Sequence, residues 1–185
     1  MFARFGSQAR RVIELAEDHA RALWRPAVGP DHLLLALLAV DDTGTFARGG
    51  LRFDDVRSLL LEFSAGDPAR TKGSTTGHLP LRLREVFRSA FRHMVALGGT
   101  EVEPLHLALA LVDDPVPGEV GIVLRRLGVS SEAVRAEVVA GLLGQQDLEI
   151  AHAGPTVVRM TRNRTIDLRE HVPGALLPVS ASSAP

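Results

Sequence analysis

The sequence predicts an all-α fold made of two tandem four-helix repeats, followed by a short extended or hairpin tail. The first observation is an internal repeat, since residues 28–37 read VGPDHLLLAL and residues 102–111, 74 positions later, read VEPLHLALAL. The second is a helical spacing of apolar residues, and the third is a set of prolines and glycines between the periodic segments. Because repeated helical units stack on their copies, we expect a pseudo-twofold relation between the two repeats.

The first helix is predicted over residues 7–24, where one broad face is apolar and the opposite face is charged. The apolar residues recur at the 3.6-residue period of an amphipathic helix. Pro26 ends the helix, because the residue before a proline avoids the helical region. The apolar face carries Ala9, Val12, Ile13, Leu15, Ala16, Ala20 and Leu23.

The second helix, over residues 31–39, is apolar on almost every side, which predicts that it is buried at the centre of its repeat. Pro30 stands in the first turn of this helix, where its missing N–H costs nothing. Pro104 has the same role at the start of the central helix of the second repeat, predicted over residues 104–112.

The remaining helices follow from weaker signals of the same kind. Residues 43–49 predict a short helix or turn, and residues 54–63 predict a helix with Asp54 as its N-cap. Residues 65–77 are rich in Gly, Ser, Thr, Pro and charge, which indicates a solvated linker. The helices of the second repeat are predicted over residues 82–97, 104–112, 118–127 and 131–143.

These elements divide the chain into a helical body, residues 1–144, and a tail, residues 145–185. The body consists of repeat one, the linker and repeat two, at residues 1–64, 65–77 and 78–144. In the tail, residues 156–160 and 165–168 flank a short polar segment and could pair as a small hairpin. Residues 172–185 contain prolines and a Ser/Ala run, so we expect them to be extended or disordered.

Composition and charge exclude several classes of function. A net charge of −1 argues against a nucleic-acid-binding protein, which needs a basic excess. The chain has no cysteine, which excludes disulfides, thiolate metal sites and a cysteine nucleophile. No segment has the pattern of a signal peptide, and the longest apolar run, residues 33–40, is shorter than the about 20 residues that span a bilayer. We therefore expect a cytoplasmic protein without nucleic-acid or membrane partners.

Several motifs of the body resemble the N-terminal domain of the Clp unfoldases, especially the ClpC branch. They are the opening MFxRF, the ARRV that begins at residue 9, the repeated histidine segment and the GHLP that begins at residue 77. The resemblance covers roughly residues 1–144 and implies a substrate-, adaptor- or ligand-receiving role. The sequence has no Gly-x-x-x-x-Gly-Lys-Ser/Thr phosphate loop, so it resembles a free-standing Clp N-domain without ATPase modules.

The resemblance also implies a phosphoarginine-type site, which this sequence carries only in degenerate form. In ClpC-type domains each repeat has Gly-Thr-Glu-His, and the glutamate helps to hold the guanidinium group of phosphoarginine. Asp31 stands at the glutamate position of repeat one, and Leu105, which accepts no hydrogen bond, stands at that position of repeat two. Pro30 and Pro104 replace both threonines. Phosphoarginine recognition is therefore doubtful at Asp31 and not expected at Leu105.

A second surface implied by the resemblance receives cyclic-peptide antibiotics in this family. Phe2 and Arg10 match residues that line it, and Arg84 stands in for a lysine. Leu79 replaces a phenylalanine, so part of the aromatic wall is missing. We predict that a peptide or cyclic-peptide ligand would contact these four residues. The alternative is that Phe2, together with Phe5, only holds the chain start against the first helix.

The histidines are interpreted as structural, and we predict no metal, no cofactor and no catalytic activity. His32 and His106 stand at equivalent starts of the central helices, and His19 and His93 at equivalent places on the helices before them. None of these shows the i, i+4 pairing of a zinc helix. No nucleophile elbow of the Gly-x-Ser-x-Gly type is present.

Two functions from different classes follow from this reasoning. The first is a protein-binding module that acts as an accessory factor in Clp-dependent proteolysis, with Clp unfoldase or protease components or protein clients as partners. The alternative is a small-molecule sink that binds cyclic-peptide antibiotics directed at the Clp unfoldase. Affinity for unfolded or tagged protein would favour the first, and selective binding of a compact apolar cyclic peptide would favour the second.

Overall fold

Eight α-helices form the body, and each lies close to where the sequence predicts it. The computed structural model describes residues 3–65, 80–113, 118–152, 160–161 and 164–165, with side chains as far as residue 145. Within these ranges the helices are α1 (Ser7–Ala22), α2 (Pro30–Ala39), α3 (Thr45–Arg48), α4 (Phe53–Ala65), α5 (Leu81–Ala96), α6 (Pro104–Val112), α7 (Glu119–Leu127) and α8 (Ser131–His152). The linker predicted over residues 65–77 lies outside the described residues except for its first position.

The helices pack in two equivalent sets, which confirms the predicted all-α double repeat. In each set the first helix packs along the central one, α1 on α2 and α5 on α6, and the two central helices contact each other. The third helix of each set crosses to the other set, since α3 packs on α8 and α7 packs on α4. This crosswise exchange gives the body its pseudo-twofold arrangement.

The core is built around the central helices because these are apolar on every side. Five consecutive residues of α2, 33–37, are each no more than 1% exposed, and residues 107–111 of α6 are no more than 5% exposed. Burying one such leucine contributes roughly 1.5–3 kcal/mol of hydrophobic free energy. The prediction that these two helices are central and buried is thus confirmed.

The chain start is fixed to the second repeat. Phe5 is 3% exposed, and its ring meets that of Phe87 on α5 edge-on, with centroids 5.6 Å apart. The backbone N–H of Gly6 donates to the carbonyl of Val102, and the N–H of Val102 donates to the carbonyl of Arg4. Phe5 therefore holds the chain start in place, as the structural alternative expected. Its ring packs against Phe87 of α5, however, rather than against the first helix.

Several helix boundaries differ from the prediction. Helix α1 ends at Ala22 rather than at residue 24. The helix predicted at residue 54 begins at Phe53, and the N–H of Val56 donates to the carbonyl of Arg52, so Asp54 lies in the first turn rather than at the N-cap. Helix α8 continues through Gly144 to His152, nine residues beyond the predicted end. Gly141 serves packing, because a Cβ there would lie 3.0 Å from Leu105 Cδ1 of α6.

Part of the predicted hairpin is present in the tail. Strand β1 (Met160–Thr161) pairs antiparallel with β2 (Arg164–Thr165), with Met160 opposite Thr165 and Thr161 opposite Arg164. The polar segment predicted as the loop therefore contributes its two end residues to the pairing. The other residues of both predicted strands lie outside the described part of the chain, as does the extended end at 172–185.

Candidate functional site

The two central histidines cap their own helices. The N–H of Gly29 donates to Nδ1 of His32, and the N–H of Glu103 donates to Nδ1 of His106, each across 3.0 Å. A ring nitrogen that accepts a backbone proton in this way satisfies one of the unpaired N–H groups at a helix start. Both side chains are buried, at 3% and 7% exposure. The geometry gives each histidine a structural task, which occupies its Nδ1.

The side chain of Asp31 is buried in repeat one and interacts with the next residue, His32. Its Oδ1 accepts the N–H of His32 at 3.0 Å and lies 2.9 Å from Nδ1 of the same residue. Burial opposes ionisation, but the His32 side chain and backbone N–H, helped by the charge of Arg25, lower the pKa of Asp31 below its ordinary value. At 7% exposure the carboxylate faces the protein rather than solvent.

Leu105 occupies the equivalent place in repeat two without any polar group. It is half-buried against the core and lies beside Gly141 of α8. The carboxylate in this repeat is Glu103, whose Oε1 fills the space that a Cβ at Gly6 would need, at the start of α1. A negative charge at a helix N-terminus is favourable. Of the predicted phosphoarginine-type pair, Leu105 therefore has no carboxylate, and the carboxylate of Asp31 belongs to a residue that is only 7% exposed.

Burial governs the charge of the other histidines. Loss of hydration, together with the charge of His93, lowers the pKa of His106 to about 4, although the Glu103 backbone acts in the opposite direction. Burial also lowers the pKa of His19 and of His93, which has Asp113 Oδ2 at 3.7 Å from its Nε2. The described residues contain no cluster of three or more His, Cys, Asp or Glu side chains suited to a metal.

The predicted peptide surface is described in part. Arg10, in the first turns of α1, and Arg84, in the first turn of α5, are both exposed, and neither has an ion-pair partner among the described residues. Phe2 and Leu79 lie outside the described residues. The chain start joins the two helix beginnings, because Phe5 stands just before α1 and its ring contacts Phe87, one turn beyond Arg84.

One exposed residue, Trp24, was not identified from the sequence. Trp24 is 79% exposed and has a φ of +54°, in the left-handed region. The 74-residue shift that aligns the histidines also aligns Trp24 with Gly98, whose φ is +75°. Extending that alignment to the helix ends would have revealed a tryptophan where the copy has glycine.

Comparison with known proteins places this chain among the N-terminal regions of Clp chaperones. A comparison with protein-family models finds no match. The chloroplastic chaperone protein ClpD1 of rice is 33% identical over 138 residues, which cover 69% of this chain and 14% of that protein. ClpD of Arabidopsis thaliana is 28% identical over 158 residues (78% and 16%), and ClpC/MecB of Bacillus subtilis is 28% identical over 181 residues (92% and 22%).

This chain thus spans less than a quarter of the length of these relatives. Within the described residues, none of the helices has the length and apolar character needed to cross a membrane.

Solved structures agree with this placement. The crystal structure of the ClpD N-terminal domain from Arabidopsis thaliana superposes with a TM-score of 0.64 at 25% identity, covering 77% of this chain and 96% of that domain. The Hsp104 N-terminal domain from Candida albicans shares the fold at 15% identity, with a TM-score of 0.58 and coverages of 73% and 89%. Both sequence relatives and structure therefore lead to the same conclusion: the chain belongs to the family of Clp N-terminal domains.

Proposed function

We propose that this chain is a non-catalytic protein-binding module that acts as an accessory factor in Clp-dependent proteolysis. The observation that supports it most is the match to the ClpD N-terminal domain, which extends over 96% of that domain and so involves more than one repeat. The proposed partners are Clp unfoldase or protease components, or protein clients of such machines. The cytoplasmic location stays a prediction.

We place the docking surface at the end of the body where α1 and α5 begin. Phe5 and Phe87 form a buried support beneath this end, and the backbone pairing to Val102 fixes the chain start. Arg10 and Arg84, both exposed, lie near the first turns of these two helices. Arginine is enriched in protein interfaces because one side chain offers several hydrogen-bond donors and an apolar stem. This surface therefore has the chemistry to bind peptide carbonyls and carboxylates.

The antibiotic sink is the second proposal, and it has weaker support. A cyclic apolar peptide needs an aromatic wall, and Leu79 stands where the family has phenylalanine. Among the described residues, the ring of the chain start, Phe5, is turned into the core rather than towards a ligand.

The first experiment measures binding of a permanently unfolded, reduced and carboxymethylated protein, together with recovery of Clp subunits from native cytosol by the intact chain. Arg10→Ala and Arg84→Ala are compared with Arg52→Ala, an exposed arginine at the start of α4. We expect the double variant to bind about tenfold or more weakly, while its unfolding midpoint stays unchanged. Arg52→Ala should bind like the natural chain.

Two results would contradict the proposal. One is the absence of both Clp subunits and unfolded-protein binding, combined with tight binding of a cyclic peptide, which would favour the sink. The other is binding that the double arginine variant leaves intact, which would move the docking surface elsewhere on the body.

A further inference from the structure

Four helices of the body end in the same hydrogen-bonded motif. Three of them have glycine at its left-handed position, and one has tryptophan. At each end, two backbone N–H groups reach back to helix carbonyls, as in Arg25 to Ala20 at 2.8 Å and Trp24 to Arg21 at 3.1 Å. This motif needs one residue in the left-handed conformation, where glycine is favoured because it has no Cβ. The residues at that place are Trp24, Gly50, Gly98 and Gly128.

Trp24 is the only non-glycine residue with a positive φ in the described part of the chain. A bulky side chain in this region costs free energy, and such costs persist in proteins mainly where a residue serves a function. The cost is not offset by burial, because the Trp24 side chain is 79% exposed. Neither helix capping nor core packing explains a tryptophan here, since Gly98 performs the same capping in repeat two.

The neighbours of Trp24 on α4 form a patch with it. The Nε–H of Arg25 donates to Ser64 Oγ at 3.2 Å, which ties the turn after α1 to the end of α4. Arg57 acts on His19 of α1, as its contribution to the lowered pKa of that histidine shows. Residues 57, 61 and 64 share one face of α4, so Leu61, which is 43% exposed, lies between these two contacts.

This patch, defined by Trp24, Arg25, Arg57 and Leu61, is apolar at its centre and has an arginine on two sides. The Arg25 guanidinium donates to Ser64 and acts electrostatically on the buried Asp31, and the exposed Arg57 has no ion-pair partner in the described part of the chain. The nearby Arg21 is paired with Asp18. Glu62 lies on a different face of α4 from Leu61, because successive helical residues are 100° apart. The exposed Asp54 lies one turn before Arg57 on the same face, at the far end of the patch from Trp24.

We propose that this Trp24 patch docks an acidic segment of a partner protein, with Trp24 and Leu61 against an apolar residue and the two arginines against carboxylates. Tryptophan and arginine are the residues that most often dominate binding energy at protein interfaces. Trp24 lies at the opposite end of α1 from Arg10, about 20 Å along the helix axis. The patch is therefore a second surface, separate from the one proposed above, and the two can succeed or fail independently.

The protein supplies its own reporter for the test. Trp24 is the single tryptophan and there is no tyrosine, so intrinsic emission arises from this site. The probe is a short synthetic peptide that contains leucine and phenylalanine among glutamates, and its control has lysine at every glutamate. We expect the acidic peptide to shift the emission to shorter wavelength, with a response that weakens as salt rises. The lysine peptide should leave the emission unchanged.

Variants are measured by the anisotropy of a labelled acidic peptide, which does not depend on the tryptophan. We expect Trp24→Gly and Arg57→Glu each to weaken binding about tenfold or more. Matched controls are Ile122→Ala, an exposed apolar residue on α7, and Arg88→Glu on α5. Because Trp24→Gly relieves the backbone, loss of binding by a variant at least as stable as the natural chain excludes unfolding as the cause.

Four results would overturn the proposal. The first is that the acidic peptide does not bind. The second is that Trp24→Gly binds the acidic peptide as tightly as the natural chain does. The third is an emission shift that depends on protein concentration alone and accompanies dimerisation, which would make a second copy the occupant. The fourth is a shift caused by anionic lipid vesicles but not by the acidic peptide, which would make the patch a membrane contact.

Discussion

The two repeats solve the same capping problem with opposite placements of a carboxylate. In repeat one the carboxylate belongs to Asp31, inside the first turn of α2, and the residue before the proline is Gly29. In repeat two it belongs to Glu103, before the proline, and the residue inside the turn is Leu105. Each histidine accepts the same backbone bond. The comparison shows that the histidine is required by the cap, while the acid is placed by local space.

At Gly29, the Asp31 carboxylate takes up the space that a side chain would need. A Cβ added there would run into Asp31 Oδ1, so the inward carboxylate and a side chain at position 29 exclude each other. Repeat two has no such conflict, because Leu105 carries no oxygen. The differences at the two positions therefore belong together, and neither is an independent loss of a family residue.

The largest expected effect comes from removing the histidines. We expect His32→Ala to destabilise the protein by about 3 kcal/mol, because it opens the cap and leaves a cavity beside the buried Asp31 carboxylate. His106→Ala should cost about 2 kcal/mol, since repeat two has no such carboxylate. Urea denaturation measures both free energies of unfolding. Equal costs in the two repeats would contradict the asymmetry, and a stable His106 variant that had lost a bound metal would contradict the structural role.

A transplant of the repeat-two solution into repeat one should have the next largest effect. Gly29→Glu alone is expected to destabilise by about 2 kcal/mol, because the new side chain displaces Asp31. Adding Asp31→Leu should recover at least about half of that loss, which a double-mutant cycle in urea measures. Gly144→Glu, where an added Cβ meets nothing within 4 Å, is the control and should be neutral or slightly stabilising. Strict additivity of the two changes would show that the positions are independent.

Acid should weaken the protein through the buried histidines. The folded-state pKa of His106 is about 4, below its ordinary value of 6.5, so the unfolded chain binds the proton more readily between these values. Stability should therefore fall as pH drops from 6.5 towards 4, by about 2 kcal/mol at pH 5. The Asp31 contribution is lost only at lower pH, because its pKa is lowered below 3.8.

The check is a series of urea titrations from pH 7 to pH 4.5 on the natural chain and on His106→Gln. The variant should show a flatter dependence, since one of the depressed histidines has been removed. An unchanged slope would mean that His19 and His93 carry the acid response instead.

The smallest expected change in stability comes from substitutions at the ends of α1 and α5, where Trp24 and Gly98 hold equivalent places. Trp24→Gly should stabilise the protein by about 0.5 to 1 kcal/mol, because glycine adopts the left-handed conformation without a Cβ clash. Trp24→Ala keeps the Cβ and should leave stability nearly unchanged, and Gly98→Ala should cost about 1 kcal/mol. Thermal unfolding at fixed pH measures all three. A destabilised Trp24→Gly variant would show that the indole packs on the body.

The sequence predicted the helices well because their signals are local. Apolar periodicity, prolines in first turns and the repeated histidine segment are all properties of neighbouring residues. The reach of α8 through Gly144 was missed, because a glycine near a helix end usually marks a stop. The contact between Gly141 and Leu105 joins distant parts of the chain and likewise leaves no local pattern.

The candidate site was predicted less completely for the same reason. The sequence shows that Asp31 replaces a glutamate, but the inward direction of its carboxylate depends on backbone atoms of Gly29 and His32. The ligand-binding roles of Phe2, Arg10, Leu79 and Arg84 stay predictions. Trp24 was missed because the first helix was predicted to include it, whereas α1 ends at Ala22 and the φ and exposure of Trp24 set it apart.

The crosswise packing of α3 on α8 and of α7 on α4 has a consequence for how the chain acquires its structure. The ion pair between Arg48 and Glu137, at 2.8 Å, joins residues 89 positions apart, and the third helix of repeat one has its packing partner in the last helix of the body. Contacts of such long sequence separation slow folding. They are uncommon in all-helical proteins, which are usually rich in local contacts. The apolar surface of α3 that packs on α8 therefore stays uncovered until α8 has been synthesised and folds against it.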